Sequence, residues 1–255
     1  MSECPPERRA RPQPWTTRPR YYYYIQTGRL INLGEAMLRP VASILPLILT
    51  AACAAQADYS YQKPQSASVE NSRTVNAPFD ETWDRLVRNL SSEFFVINNI
   101  EKASRIINVS FSADTAESYV DCGETSRTYT SPAGRKEAYN YASAADSNYL
   151  YATPDGFPVG VDRRTSLEGR ANIYVAPGEA SPAHSTDIRV NVRYVMKVDF
   201  RFTSYNKYEQ PLGSAGTDSI TVSFDTTKPS DGSSGDMVCR SLGELEERIL
   251  NAASR

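Results

Sequence analysis

The chain has 255 residues, and its 28 Lys and Arg against 30 Asp and Glu give a formal net charge of −2 at pH 7. This balance opposes nucleic-acid binding, because contacts to phosphates require clustered Lys and Arg. One histidine and four cysteines without a CxxC pair also oppose a metal site, since zinc needs several such ligands at close spacing.

The first recognisable element is a short apolar run, Val41 to Cys53 (VASILPLILTAAC), which ends in two small residues and a cysteine. Met37, a start-type residue, and the positive charge of Arg39 precede it. This order of regions is typical of a secretory signal peptide. The run is shorter than the ~18 to 20 residues that a membrane span needs, and Pro46 interrupts it. A buried core helix or a span is the alternative.

With a cysteine directly after the small residues, this segment resembles a bacterial lipoprotein signal, although Thr50 stands where Leu is usual. The resemblance implies that residues 37–52 are removed and that Cys53 becomes the first residue, carrying acyl chains such as palmitate. Several acyl chains anchor a protein to a membrane stably, where one does not. Because Ala54 rather than Asp follows Cys53, the resemblance also implies the outer membrane, facing the periplasm.

Residues 1–36 precede this signal and show no amphipathic period. If Met37 is the true start, they are the product of a mis-called start and are absent from the native protein. The alternative is an Arg-rich targeting arm or a disordered basic tail.

The exported part, residues 53–255, has a net charge of −6, because the first 52 residues carry seven arginines and three acids. Residues 53–70 are small and polar, so we predict a flexible tether. After Cys53 the remaining cysteines are Cys122 and Cys239. Two cysteines in an oxidising periplasm most often pair, so we predict a disulfide, with two free buried thiols as the alternative.

Two amphipathic helices are predicted, one near each end of the exported part. The first opens at Pro78, and its apolar stripe consists of Phe79, Trp83, Leu86, Val87 and Leu90. The second follows a capping box from Ser241 to Glu244. Its inner stripe consists of Leu242, Leu245, Ile249 and Ala252.

The chain between the helices is rich in β-branched and aromatic residues. We predict strands at 73–75, 94–98, 106–112, 119–123, 167–175, 186–195, 198–205 and 218–224. In residues 186–195, apolar side chains alternate with Arg189, Asn191 and Arg193, as in an antiparallel sheet with one wet face.

Residues 124–165 have no firm period, and five tyrosines are scattered among small and polar residues: Tyr129, Tyr139, Tyr141, Tyr149 and Tyr151. We predict a loosely ordered insertion. It is either a tolerated surface insertion or an adaptable contact surface.

This order of elements predicts an α+β fold, in which two amphipathic helices pack on one face of an antiparallel sheet within one domain, residues 71–255. The layout is helix-grip-like. With the lipoprotein signal, it resembles the lipoprotein component C of the bacterial β-barrel assembly machinery. Three segments carry the resemblance: Val75 to Leu90, Ile106 to Gly123 and Ser241 to Leu250. It implies a role in envelope assembly and transfers no catalytic residue.

No motif for nucleophilic, metal-dependent or phosphate chemistry occurs, and His184, the one histidine, lies in a predicted turn. We therefore predict no enzyme activity and no cofactor. The expected function is a membrane-anchored scaffold or accessory module in cell-envelope assembly, with envelope proteins as partners. The alternative is a carrier of a lipid or other hydrophobic ligand between helix and sheet. A third hypothesis, a hydrolase, requires carboxylates that converge in a polar cleft.

Overall fold

A computed structural model describes residues 54–179, 184–233 and 235–254. The predicted arm (1–36), the signal peptide (37–52) and the lipidated Cys53 lie outside these ranges, so they stay predictions. The described residues from Ala54 onward belong to one compact unit.

Twelve strands and two helices follow one another in the described residues. In chain order they are β1 (Gln56–Gln62), β2 (Ser72–Val75), α1 (Phe79–Ser92), β3 (Val96–Glu101), β4 (Ile106–Ala113), β5 (Val120–Asp121), β6 (Glu124–Thr130), β7 (Lys136–Ala142), β8 (Ser147–Ala152), β9 (Pro158–Pro177), β10 (Thr186–Tyr205), β11 (Pro211–Asp225), β12 (Arg240–Ser241) and α2 (Glu244–Ser254). One 3₁₀ turn, Ala116–Ser118, precedes β5.

The pairing of β9 with β10 organises a seven-stranded antiparallel sheet. Both strands have 20 residues, and they pair from Thr186 opposite Pro177 to Ser204 opposite Val159. The strand order is β11-β10-β9-β4-β3, with β2 also on β10 and β8 also on β9. The two strands predicted at 186–195 and 198–205 are one continuous strand, because the alternation of buried and exposed side chains continues through Met196 and Lys197.

A second sheet of three strands, in the order β1-β6-β7, packs against β8 at one end of the large sheet. Side chains of both layers meet there: the ring of Tyr141 on β7 stacks on that of Tyr149 on β8, with centroids 5.8 Å apart. The guanidinium of Arg127 on β6 also lies 4.5 Å from the Tyr149 ring. Aromatic and cation–π contacts therefore hold the two sheets together.

The main core lies between the apolar face of the large sheet and the two helices. Trp83 and Leu86 of α1 and Ile249 of α2 are buried in it with the inward side chains of β4, β9 and β10. The Phe111 ring lies directly over Gly169 on β9, where a Cβ would come within 1.7 Å of a ring carbon. Glycine is therefore required at position 169, because any side chain would displace this aromatic ring.

The predicted α+β fold class is wrong. Of the described residues 53% are in strands and 14% in helices, so the architecture is more a β-sandwich than a sheet with helices packed on it. The difference arises from segments predicted without regular structure. The loosely ordered insertion at 124–165 instead forms β6, β7, β8 and the first residues of β9, and the predicted tether contains β1.

These strands were missed because their polar sequences show little apolar alternation. In β6 (ETSRTYT), Thr125 and Tyr129 are the buried residues, and neither belongs to an aliphatic pattern. β1 pairs with β6 from Gln56 opposite Thr130 to Gln62 opposite Glu124, so its strand depends on a partner far along the chain. Threonine and tyrosine favour strands, but context decides whether one forms.

Cys122 and Cys239 form a disulfide across 117 residues of sequence. Cys122 follows β5 and Cys239 precedes β12, and these two short strands pair with Ser241 opposite Val120. Both cysteines are buried, and the Cys122 sulfur lies 3.7 Å from the sulfur of Met196 on β10. On the chain-entropy model such a loop contributes up to ~4–5 kcal/mol to stability, and it holds the start of α2 beside β5.

Glu246, in the first turn of α2, is fully buried and anchors this helix to the sheet. Its carboxylate accepts hydrogen bonds from Tyr194 (2.8 Å), Thr226 (2.7 Å) and Ser241 (3.1 Å). The predicted capping box differs: Ser241 accepts from the Gly243 N–H at 2.9 Å and contacts Glu246 rather than Glu244. Burial, followed by the Glu246 carboxylate, raises the pKa of the Tyr194 hydroxyl.

We predict that Glu246→Ala lowers the free energy of unfolding by about 2–3 kcal/mol, because buried hydroxyls lose their acceptor. Glu246→Gln keeps the shape of the side chain and is expected to cost less. Glu247→Ala, at the exposed neighbouring position, is the control and should change stability by no more than about 0.5 kcal/mol. Urea unfolding followed by fluorescence measures all three, and equal losses for Glu246→Ala and Glu247→Ala would contradict the anchoring role.

Candidate functional site

The described residues contain no group of three or more His, Cys, Asp or Glu side chains that could hold a metal ion. Among them, no helix is both long and apolar enough to cross a membrane. His184 is exposed. Asp121 accepts a hydrogen bond from the Gly123 N–H at 2.9 Å, and the neighbouring Cys122 sulfur is in the disulfide, so no thiolate is available there.

The face of the large sheet opposite the helices is the candidate site. We use the name polar face for the outward side chains of β9 and β10 at the centre of the large sheet. They are Asn172, Tyr174, Arg189, Asn191 and Arg193. All five are exposed, whereas the residues between them point into the core. The strict alternation of both strands thus keeps one face apolar and exposes the polar side chains of the other.

Asparagines form a row across the centre of this face. Asn108 of β4 lies opposite Asn172 of β9, which lies opposite Asn191 of β10. The Asn108 side-chain NH₂ donates to the Asn172 oxygen (2.5 Å), and the Asn71 NH₂ donates to the Asn191 oxygen (3.4 Å). Within the described chain, the NH₂ groups of Asn172 and Asn191 donate to no protein acceptor, so they can donate to a ligand.

Two arginines flank this row along β10. Arg189 and Arg193 lie two residues on either side of Asn191, which places each about 7 Å from it along the strand. Neither guanidinium forms an ion pair with a carboxylate of the described residues. Their charges are therefore available to an anionic group from outside the chain.

Asp225 lies opposite Arg193 on β11, but its carboxylate is engaged elsewhere. It accepts hydrogen bonds from the backbone N–H groups of Thr227 (2.8 Å) and Lys228 (2.9 Å). Burial raises the pKa of Asp225, but a hydrogen bond from the Thr227 hydroxyl (2.8 Å) and these two backbone hydrogen bonds outweigh it and hold the pKa below its usual value. Asp225 therefore stays charged and shapes the turn that follows β11.

Two open grooves mark the polar face. The larger, of about 750 Å³, lies between β10, β11 and the segment 225–233, and Asn172, Asn191 and Arg193 line it. The smaller, of about 390 Å³, lies beside β2 and is lined by Tyr174 and Arg189. Because Asn191 and Arg189 are successive outward residues of one strand, the grooves adjoin.

Two of the five tyrosines in residues 124–165 are buried and cannot belong to an exposed contact surface: Tyr129 is fully buried, and Tyr149 is 7% exposed. Tyr139, Tyr141 and Tyr151 are partly exposed. Arg127 lies between the rings of Tyr59 and Tyr149, 4.5 Å from each centroid, and donates to the Tyr141 hydroxyl at 3.0 Å. Tyr141 and Tyr149 therefore pack between the two sheets.

The polar face was only partly visible in the sequence. The alternation of Arg189, Asn191 and Arg193 with apolar residues indicated a wet face on one strand. The same alternation in β9 places Asn172 and Tyr174 outward, and the sequence of that strand carries this signal. The grooves depend on which strands are neighbours, so no local pattern could reveal them.

Neither the models of known protein families nor the curated protein sequences contain a match to this chain. Its function is therefore inferred from its own residues and their geometry.

A network around Glu209 joins the two hairpin ends beyond the polar face. The Glu209 carboxylate accepts hydrogen bonds from the Tyr129 hydroxyl (3.1 Å) and from the Arg135 guanidinium (2.8 Å to each oxygen). This contact links the β6–β7 hairpin to the turn between β10 and β11. Burial, followed by the hydrogen bond to Glu209, raises the pKa of Tyr129 to about 12.

We predict that Tyr129 makes the protein sensitive to alkali between pH 10 and about 12. In this window the unfolded chain loses the Tyr129 proton while the folded chain keeps it, so stability falls as pH rises, by on the order of 1–2 kcal/mol. Tyr129→Phe should make this part of the profile less steep, whereas Tyr208→Phe, at a ring that is 69% exposed, should not. Urea unfolding at pH 9, 10, 11 and 12 is the measurement, and equal slopes for Tyr129→Phe and the unmodified protein would overturn the assignment.

Proposed function

We propose that this protein is a non-enzymatic, lipid-anchored protein of the cell envelope. Acyl chains on Cys53 would hold it at the outer membrane, facing the periplasm. The polar face would dock another envelope component, so that the protein acts as a scaffold or accessory module in envelope assembly. The observation that carries the docking proposal is the polar face, on which arginine and amide donors have no partner among the described residues.

The absence of an assembled chemical site in the described residues supports a binding role over catalysis. Cys122 and Cys239 are joined, and His184 is exposed. The groove carboxylates of Asp225 and Asp231 are occupied by backbone N–H groups of their own turns. Burial raises the pKa of Asp225, but the hydrogen bonds from Thr227 and Lys228 lower it by more. For Asp231 the largest effect is the lowering of the pKa by hydrogen bonds from Ser233. Both carboxyls therefore have pKa values below their usual range. Neither therefore has the raised pKa of a general acid.

The hydrophobic carrier is the weaker alternative. A carrier needs an apolar cavity between helices and sheet, but Trp83, Leu86 and Ile249 are buried there in one continuous core. Both grooves described above are open and lie on the opposite, polar face. A well-packed core leaves no space for a lipid chain without repacking.

We predict that the anchor depends on Cys53 alone. In a Gram-negative bacterium grown with an alkyne analogue of palmitate, the full-length protein should take up the label and sediment with membranes. Cys53→Ser should lose the label and become extractable without detergent, because the acyl chains supply the membrane affinity. The double variant Cys122→Ser, Cys239→Ser is the control and should keep the label, because it leaves Cys53 in place. Label on the Cys53→Ser protein would refute this anchor.

We predict that the docked component can be captured on the polar face. A photo-crosslinking amino acid at position 191 should give discrete adducts in intact cells after irradiation. The same amino acid at position 88, an exposed site on α1, should not give them. Mass and chemical analysis of the adducts identify the component. Identical adducts at both positions, or none at position 191, would overturn docking on this face.

A further inference from the structure

We propose that the two grooves of the polar face bind a linear saccharide that carries carboxylate groups. This inference rests on the proposed docking function and names the chemical class of the docked component. It also accounts for the alternating residues Arg189, Asn191 and Arg193, because the fold alone does not require these side chains at exposed positions.

The larger groove offers hydrogen-bond donors suited to sugar hydroxyls and carboxylates. Asn172 and Asn191 are cross-strand neighbours, and both of their NH₂ groups point to the same outward face. Their side-chain oxygens are held by Asn108 and Asn71, which orients the two amides before a ligand arrives. Such preorganised donors bind at a smaller entropic cost than mobile side chains.

The charges are spaced along one strand rather than clustered. Arg189 and Arg193 are four residues apart on the same side of β10, so about 14 Å separates their positions along the strand. Asn191 lies between them. A guanidinium binds a carboxylate through two parallel hydrogen bonds. The order of guanidinium, amide and guanidinium therefore matches a chain whose carboxylates are separated by neutral hydroxyl-bearing stretches.

Tyr174 supplies an apolar surface beside these donors. Its ring is 47% exposed and lines the smaller groove with Arg189. An aromatic face can pack against the C–H groups of a sugar ring while the neighbouring guanidinium binds its charged substituent. The smaller groove thus continues the larger one with the same type of chemistry.

Carboxylates of the protein disfavour more strongly charged ligands. Asp225 and Asp231 line the larger groove with Arg193 and Lys228, and Asp187 lines the smaller groove with Arg189. These acids offset much of the positive charge. A doubly charged phosphate monoester or an anionic bilayer gains most from a strongly basic surface. A ligand with single, separated negative charges is better suited to this mixture of positive and negative side chains.

The test is a titration by calorimetry of the full-length protein with an acidic tetramer in which glucuronic acid alternates with N-acetylglucosamine, and in parallel with the neutral tetramer of N-acetylglucosamine. We expect binding of the acidic tetramer at least tenfold tighter than that of the neutral one, and weaker binding when NaCl is raised from about 50 to about 500 mM. Arg189→Gln with Arg193→Gln should weaken binding at least tenfold. Arg201→Gln, on the outward face of the same strand but outside both grooves, should not.

Each other outcome overturns the proposal in a recognisable way. Equal affinity for both tetramers would show that the grooves do not distinguish a charged saccharide from a neutral one. Binding of inorganic phosphate or of anionic phospholipid vesicles, but not of the acidic tetramer, through the same two arginines assigns the grooves to another ligand. Protein adducts from the crosslinker at position 191 support docking and refute the saccharide, whereas no adduct refutes docking itself.

Discussion

The register between β9 and β10 is the constraint on which the remaining structure depends. Because side chains alternate along a strand, a slip by one residue would move Ile188, Val190 and Val192 outward and bring arginines into the core. The same register places Asn172 opposite Asn191 and continues into the rows formed with β4 and β11. The core and the polar face are thus two results of one pairing.

The two ends of the described fold are fastened by different means. At the α2 end, the disulfide and the buried carboxylate of Glu246 attach the helix to β5 and to Tyr194 on β10. At the hairpin end, Glu209 joins Tyr129 and Arg135. Both ends use polar contacts that fix direction as well as distance, whereas the apolar packing between them tolerates small shifts.

Local patterns predicted the elements that make an apolar face by themselves. Phe79, Trp83 and Leu86 repeat with a helical period, and α1 forms at Phe79–Ser92. The segments with alternating aliphatic residues became strands. β1, β6 and β7 were not predicted, because tyrosine and threonine side chains stabilise these strands only when the neighbouring strands are in place. This non-local contribution also explains why the fold class was wrong and why the grooves could not be foreseen.

The sequence separation of 117 between Cys122 and Cys239 has a consequence for the order of events during maturation. The bridge cannot close until the whole segment from β6 to β11 has emerged, because Cys239 follows it. During that interval the Cys122 thiol is reachable by oxidoreductases and by other thiols. If the chain is exported, as we propose, its maturation is coupled to the thiol chemistry of the envelope, and the closed bridge reports that translocation has passed Cys239.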